Sequence, residues 1–352
     1  MSIDDKVQEH KALENEGPRD NPNDRVPEPQ FTPADGPDVP TIEIREDYLQ
    51  DRHVGSFTDF LAGQLGDGAL TCHAWRQRGS RLDWQCESLI DAASRYWFPV
   101  VSQFRHLTGP VDFNSLRANA LVLEDLKRRL RDARTTKNEA AGCAAAQDIQ
   151  IWGGTDRGGH NSRAIGALSK EPGGFLGYLD RCHAAFGTSA ALDLSPFRVA
   201  AGFRSNSGFS KIYALAFDEF VIFDSRVAAA LGLMIVRWWL LNGAPVSLIP
   251  MSLQVLCMPT PTYRDSRRNP NRNVAGICGF PVAQRAGNKV HLLHLQSNIH
   301  VNWILRAALR GSAFEAEVLK RPHPFGVVPL RALEAALFMI GYDLASNWPH
   351  AG

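Results

Sequence analysis

Asp224 stands directly before Ser225-Arg226-Val227, where an apolar helical pattern begins, and is therefore expected to be that helix's N-cap. The positive end of the helix dipole favours its ionised form. A carboxylate held ionised can stabilise a developing cation and orient a water for attack. Lys211 lies 13 residues earlier, behind Ser207-Gly208-Phe209-Ser210. Its amine suits a phosphate contact or a solvated position better than a nucleophile on residue type alone. The two serines suit phosphate binding or helix capping equally well.

A second unusual stretch is the glycine-rich loop from Trp152 to Arg163, WGGTDRGGHNSR. Its glycines allow close backbone approach to a ligand or a wedge into DNA; the plainer reading is a flexible connector. It lacks GxxxxGK[ST] and follows no strand pattern, so it is not a nucleotide P-loop. Arg264, Arg267 and Arg268 sit in a basic loop that is a solvated surface unless a polyanion binds there. His291, His294 and His300 have no nearby Cys or carboxylate at ligand spacing, so no metal is expected. No cofactor is expected.

The elements that must position these residues read as helices. Helical spacing runs through Glu87 to Phe104 with a kink expected at Pro99, then Asn114 to Arg134 and Glu139 to Trp152. Further helices are expected near residues 174–186, 208–217, 225–241, 245–257, 291–309 and 329–342. Phe220 to Phe223 is a short apolar run between two helices, and it must be buried. Sustained strand alternation is scarce. The fold class is all-α, about ten helices, with room for two lobes.

Residues 1–45 carry seven prolines from Pro18 to Pro40 and few apolar residues, the composition of a disordered acidic tail. The body is expected to span 46–352. Residues 1–52 carry about −8 and the remainder about +9, so a near-neutral chain hides a basic body. A basic body is compatible with a polyanion such as DNA. No apolar run is long enough for a membrane span, and the polar N-terminus reads as neither a secretion nor an import signal, so a cytoplasmic location is expected. Six cysteines without a CxxC pair read as reduced thiols.

The run from Arg204 to Leu233, RSNSGFSKIYALAFDEFVIFDSRVAAALGL, resembles the helix-hairpin-helix DNA glycosylase superfamily, the group that contains endonuclease III. Phe223-Asp224-Ser225-Arg226-Val227 and Leu231-Gly232-Leu233 fall in register with its closing motif. The resemblance implies a helix-hairpin-helix element over 204–241. It also implies Asp224 as the catalytic aspartate and matches Lys211 to the lysine some members use as an amine nucleophile. The four-cysteine iron–sulfur loop of some members is absent.

Base excision by such a protein builds positive charge on the sugar, which an ionised Asp224 would stabilise after the nucleotide is flipped. DNA contacts are then expected from Ser207, Gly208, Ser210, Arg226, Arg264, Arg267 and Arg268. Trp152, Gly153, Gly154 and Tyr213 are expected at the base pocket or wedge, with Asp224 facing solvent at the floor of a basic cleft. The expected function is a DNA glycosylase acting on a modified or damaged base, with hypermodified phage DNA and a defence role as the most divergent case. The alternative is a non-catalytic DNA-binding or assembly protein that keeps the element for phosphate contact.

Overall fold

The computed structural model describes residues 43–344 except 67, 69–70, 77–82, 187–190, 193–202, 219, 246–247, 258–266, 269, 271–279, 281–286 and 322–325. Nearly all of the expected acidic tail, and Arg264, lie outside the described residues.

The described chain is mostly helical. It runs α1 (Arg45–Gln50), α2 (Arg52–Gln64), β1 (His73–Arg76), β2 (Asp83–Cys86), α3 (Leu89–Ser94), α4 (Leu116–Thr135), α5 (Glu139–Trp152), α6 (His160–Leu168) and α7 (Gly174–Phe186). It continues with α8 (Ser207–Ala216), α9 (Ser225–Leu241), α10 (Met251–Gln254), α11 (Gly287–Leu309), α12 (Ala313–Lys320) and α13 (Pro329–Ile340). β1 and β2 pair antiparallel, His73 opposite Cys86 and Arg76 opposite Asp83.

The helix starts follow local capping chemistry. Ser115, Asn138, Asn206 and Asp224 each accept backbone N–H bonds at the start of α4, α5, α8 and α9. Two expected helices are cut short. Periodicity suggested helix through 87–104, yet α3 stops at Ser94 and a 3-10 turn, Ser102–Leu107, follows only after an irregular stretch. Pro99 disfavours helical geometry in the residue before it. The chain there bonds sideways instead: the Phe98 N–H donates to the Asn114 carbonyl at 2.9 Å and the Val100 N–H to the Phe113 carbonyl at 2.9 Å. The 245–257 helix is likewise reduced to α10.

Two buried clusters fill the interior. One joins α2, α3, α9, α12 and α13 and includes Phe57, Leu89, Val227, Met234 and Leu337. The other joins α4 to α8 and includes Leu126, Ile149, Phe175, Leu179 and Tyr213. α11 feeds both, with Leu295 and Ile299 in the second and Ile304 and Leu305 in the first. α8 thus belongs to one cluster and α9 to the other.

The apolar run between α8 and α9 is buried at Val221, Ile222 and Phe223. Buried backbone groups need partners, and side chains supply them here. The Val221 N–H donates to Asn302 Oδ1 at 2.7 Å, the Ile222 N–H to the Glu334 carboxylate, and the Phe223 carbonyl accepts from Ser210 Oγ at 3.0 Å. The run is therefore held by α11, α13 and α8 together, and it delivers Asp224 to a defined place.

Candidate active site

The two segments singled out in the sequence meet in space. Gln150, in the last turn of α5, accepts from Thr155 Oγ1 at 2.7 Å and Asn161 Nδ2 at 3.0 Å, and donates to the Gly208 carbonyl at 3.0 Å. Asn206 donates to Asn161 Oδ1 at 3.1 Å while its own Oδ1 accepts the Gly208 and Phe209 N–H groups, each at 2.9 Å. Asp156 accepts the Asn161 and Ser162 N–H groups, each at 3.0 Å. The glycine-rich loop is consequently a built structure locked to the start of α8, not a loose connector. Gly208 has no alternative in this network, because a Cβ there would stand 2.2 Å from Asn161 Nδ2.

Lys211, one turn into α8, is buried, and its Nζ donates to the Ser207 carbonyl at 3.1 Å. Burial lowers its pKa; Asp224 partly offsets this, and the net shift is downward. Asp224 is the N-cap of α9, accepting the Arg226 N–H at 2.9 Å and the Val227 N–H at 3.2 Å through Oδ1. Its Oδ2 lies 3.7 Å from Arg226 Nη1. Burial alone would raise the Asp224 carboxyl, but Lys211, Arg226, the Val227 N–H and Arg268 together hold it below its usual value. The carboxylate is thus ionised at neutral pH, and the lysine surrenders its proton more readily than a surface lysine does.

A second ion pair adjoins the first. Glu334 of α13 is buried, accepts the Ile222 N–H and pairs with Arg331. Burial pushes the Glu334 carboxyl up, with Arg331 and the Ile222 N–H opposing. Two carboxylates, Asp224 and Glu334, thus lie within electrostatic reach of four cations, Lys211, Arg226, Arg268 and Arg331. Arg226 lies over the Phe338 ring at 4.6 Å and the Tyr342 ring at 5.1 Å.

Several expected site residues take other roles. Asp224 caps the helix as expected but is only 6% exposed, so it does not face solvent openly. Ser210 is buried and donates to the Phe223 carbonyl, and the Gly208 N–H and carbonyl are taken by Asn206 and Gln150, so neither offers itself to a phosphate. Ser207 contributes its carbonyl to Lys211. Tyr213 is fully buried, its hydroxyl shared with Tyr178 and the Arg204 carbonyl. Trp152 is also buried and donates its indole N–H to Asn119 Oδ1 at 2.9 Å. Aromatic surface in this fold goes first to the core, and these two rings line no opening. Gly153 and Gly154 do border the cluster's loop: Gly153 lies against Lys211, and Gly154 has positive φ and open space beside it.

Arg267 pairs with the buried Asp343 at 2.7 Å, and Arg268 reaches Ser225 Oγ at 3.3 Å, beside the start of α9. His291 and His294 both contact Ser205, through its carbonyl at 2.7 Å and its hydroxyl at 2.8 Å. Among the described residues no group of three or more His, Cys, Asp or Glu side chains is placed to hold a metal. Nor is any helix there long and apolar enough to cross a membrane.

Glu334, Arg331 and Tyr96 were not anticipated. A lone carboxylate among Leu333, Ala335 and Leu337 on an apolar helix was the available signal for Glu334.

No protein-family model matches the chain, and neither a curated protein nor a solved structure is detectably similar to it.

Proposed function

We propose that this protein is a DNA glycosylase-like enzyme built on a helix-hairpin-helix element over 204–241. It flips a modified or damaged nucleotide from DNA and breaks its base–sugar bond at Asp224 and Lys211. The observation that carries this reading is geometric: Asp224, the N-cap of α9, and Lys211, one turn into α8, are both buried on the two helices that the apolar run joins, within electrostatic reach of each other. Departure of a base leaves positive character on the sugar, which Asp224 stabilises. Lys211 in its neutral form has the electron pair an amine nucleophile needs. Arg226 and Arg268, both beside the start of α9, are the cations suited to a phosphodiester. The reading requires an opening through which a flipped nucleotide reaches Asp224 and Lys211, both of which are buried. Excision of hypermodified phage bases in a cytoplasmic defence role is the widest extension of this reading and rests on sequence divergence alone.

The test is incubation of the full chain with a panel of base-modified duplexes, scoring abasic sites by alkaline cleavage. Base release from at least one duplex is expected, and its loss in Asp224→Asn with DNA retention intact. A second reading, DNA binding without catalysis, draws on the capping geometry, since Asp224 Oδ1 is already occupied by two N–H groups. It requires salt-sensitive DNA retention and no base release from any duplex.

A further inference from the structure

We propose that His294 of α11 is a positioning residue: it joins the starts of α8 and α9 and so fixes Asp224 against Lys211. For the reaction this rests on the glycosylase reading; the positioning itself does not.

The two helices begin in the same way. Asn206 caps α8 and Asp224 caps α9, and the residue just before each cap, Ser205 and Phe223, is buried. His294 reaches both. Its Nδ1 lies 2.8 Å from Ser205 Oγ, its ring meets the Phe223 ring at 5.3 Å between centroids, and it hydrogen-bonds the Phe223 backbone. A neutral imidazole carries one N–H and one bare nitrogen, and a carbonyl oxygen has two lone pairs. Nδ1 accordingly accepts the Ser205 hydroxyl, while the N–H serves the Phe223 carbonyl, which also accepts from Ser210 Oγ at 3.0 Å. His291, one turn earlier on α11, places Nδ1 2.7 Å from the Ser205 carbonyl, so α11 grips Ser205 twice.

Lys211 and Asp224 are the charged groups that these helix starts present. Lys211 folds back along α8 to the Ser207 carbonyl at 3.1 Å, and Asp224 stands at the first turn of α9. His294 lies within electrostatic reach of both. Burial, followed by His291, lowers His294 to about 3. The imidazole is therefore uncharged at neutral pH and does not compete with Lys211 for the carboxylate. A stiff ring bonded at both ends fixes the spacing of the two peptides it joins. His294 thus acts on the site through the backbone alone.

The experiment follows the titration of Lys211 by 13Cε NMR of the lysine-labelled full chain, its signal assigned by loss in Lys211→Met. The charges facing Lys211 are Asp224, Arg226, Glu334 and Arg331, with Asp224 the strongest. His294→Phe should lower the midpoint by about one pH unit as the carboxylate slips away. His294→Gln keeps an acceptor for Ser205 and a donor for Phe223, and should restore it. Leu295→Ala, a core truncation on the same helix, should leave it in place. On a duplex from which the wild type releases a base, His294→Phe should lower kcat on the order of ten-fold with KM unchanged. An unmoved midpoint in His294→Phe, or an equal fall in Leu295→Ala, overturns the inference. Should His294→Phe not fold, Ser205→Ala decides: a lowered midpoint supports the bridge and an unmoved one overturns it. Wild-type protein that releases no base from any duplex overturns the glycosylase reading alone, because the titration still decides the role of His294.

Discussion

Gly153 lies so close to Lys211 that a Cβ on it would stand 2.4 Å from Lys211 Cδ. The stem of the buried lysine therefore runs across the first glycine after α5, and the glycine-rich loop and the α8 lysine are one structural unit. Gly153→Ala is expected to force the lysine aside at a cost of about 1–3 kcal/mol, as overpacked sites do. Thermal melting measures that loss. The same variant should lose any Lys211-dependent reaction while Gly154→Ala, which meets open space but has φ +60, loses stability alone.

Lys211 should be the residue that becomes linked to DNA if its amine attacks the sugar. Sodium borohydride added during turnover is expected to trap a covalent protein–DNA adduct, and Lys211→Met should form none. Base release that persists in Lys211→Met assigns the bond cleavage to water directed by Asp224. A trapped adduct in the Met variant would exclude Lys211 as the nucleophile.

Glu334 offers a way to separate hydrogen bonding from charge. Glu334→Gln keeps an acceptor for the Ile222 N–H, whereas Glu334→Ala leaves that buried donor unmatched at an additional cost of about 1–3 kcal/mol. Urea unfolding of the two variants gives the difference. Equal stabilities would mean that the apolar run is held by Asn302 and Ser210 without help from α13.

Three buried histidines set an acid limit. Burial lowers His73 to about 4 and His294 and His300 to about 3. Their folded pKa values lie below the unfolded value of about 6.5, so the unfolded chain binds more protons once the pH drops past that point. The stability they contribute is present above pH ~6.5 and is lost as the pH falls toward 4, by up to about 1.4 kcal/mol per pH unit for each histidine. Urea midpoints at pH 7.5, 6 and 5 should therefore fall steadily. His300 stacks on Tyr48 at 3.9 Å, its Nε2 lies 3.8 Å from Glu43 Oε1, and neither ring nitrogen is hydrogen-bonded among the described residues, so His300→Phe should flatten that slope by about a third. An unchanged slope would place the titration elsewhere.

Much of the helical framework was legible because periodicity and capping act over a few residues. The bounds of α5, α7 and α9 follow from the sequence, as does Asp224 as an N-cap. Helix through 87–104 was misread because the apolar spacing around Tyr96 serves aromatic contacts with Phe338 instead of a helical stripe. The tertiary structure alone decided which polar residues meet. Glu334, more than a hundred residues from Ile222 in the chain, shares no local pattern with it, and Lys211 reads from the sequence as an ordinary surface cation. Burial, and with it the loosened proton of Lys211 and the ionised state of Asp224, depends on how α5, α8, α9 and α13 enclose one another, which no stretch of sequence encodes by itself.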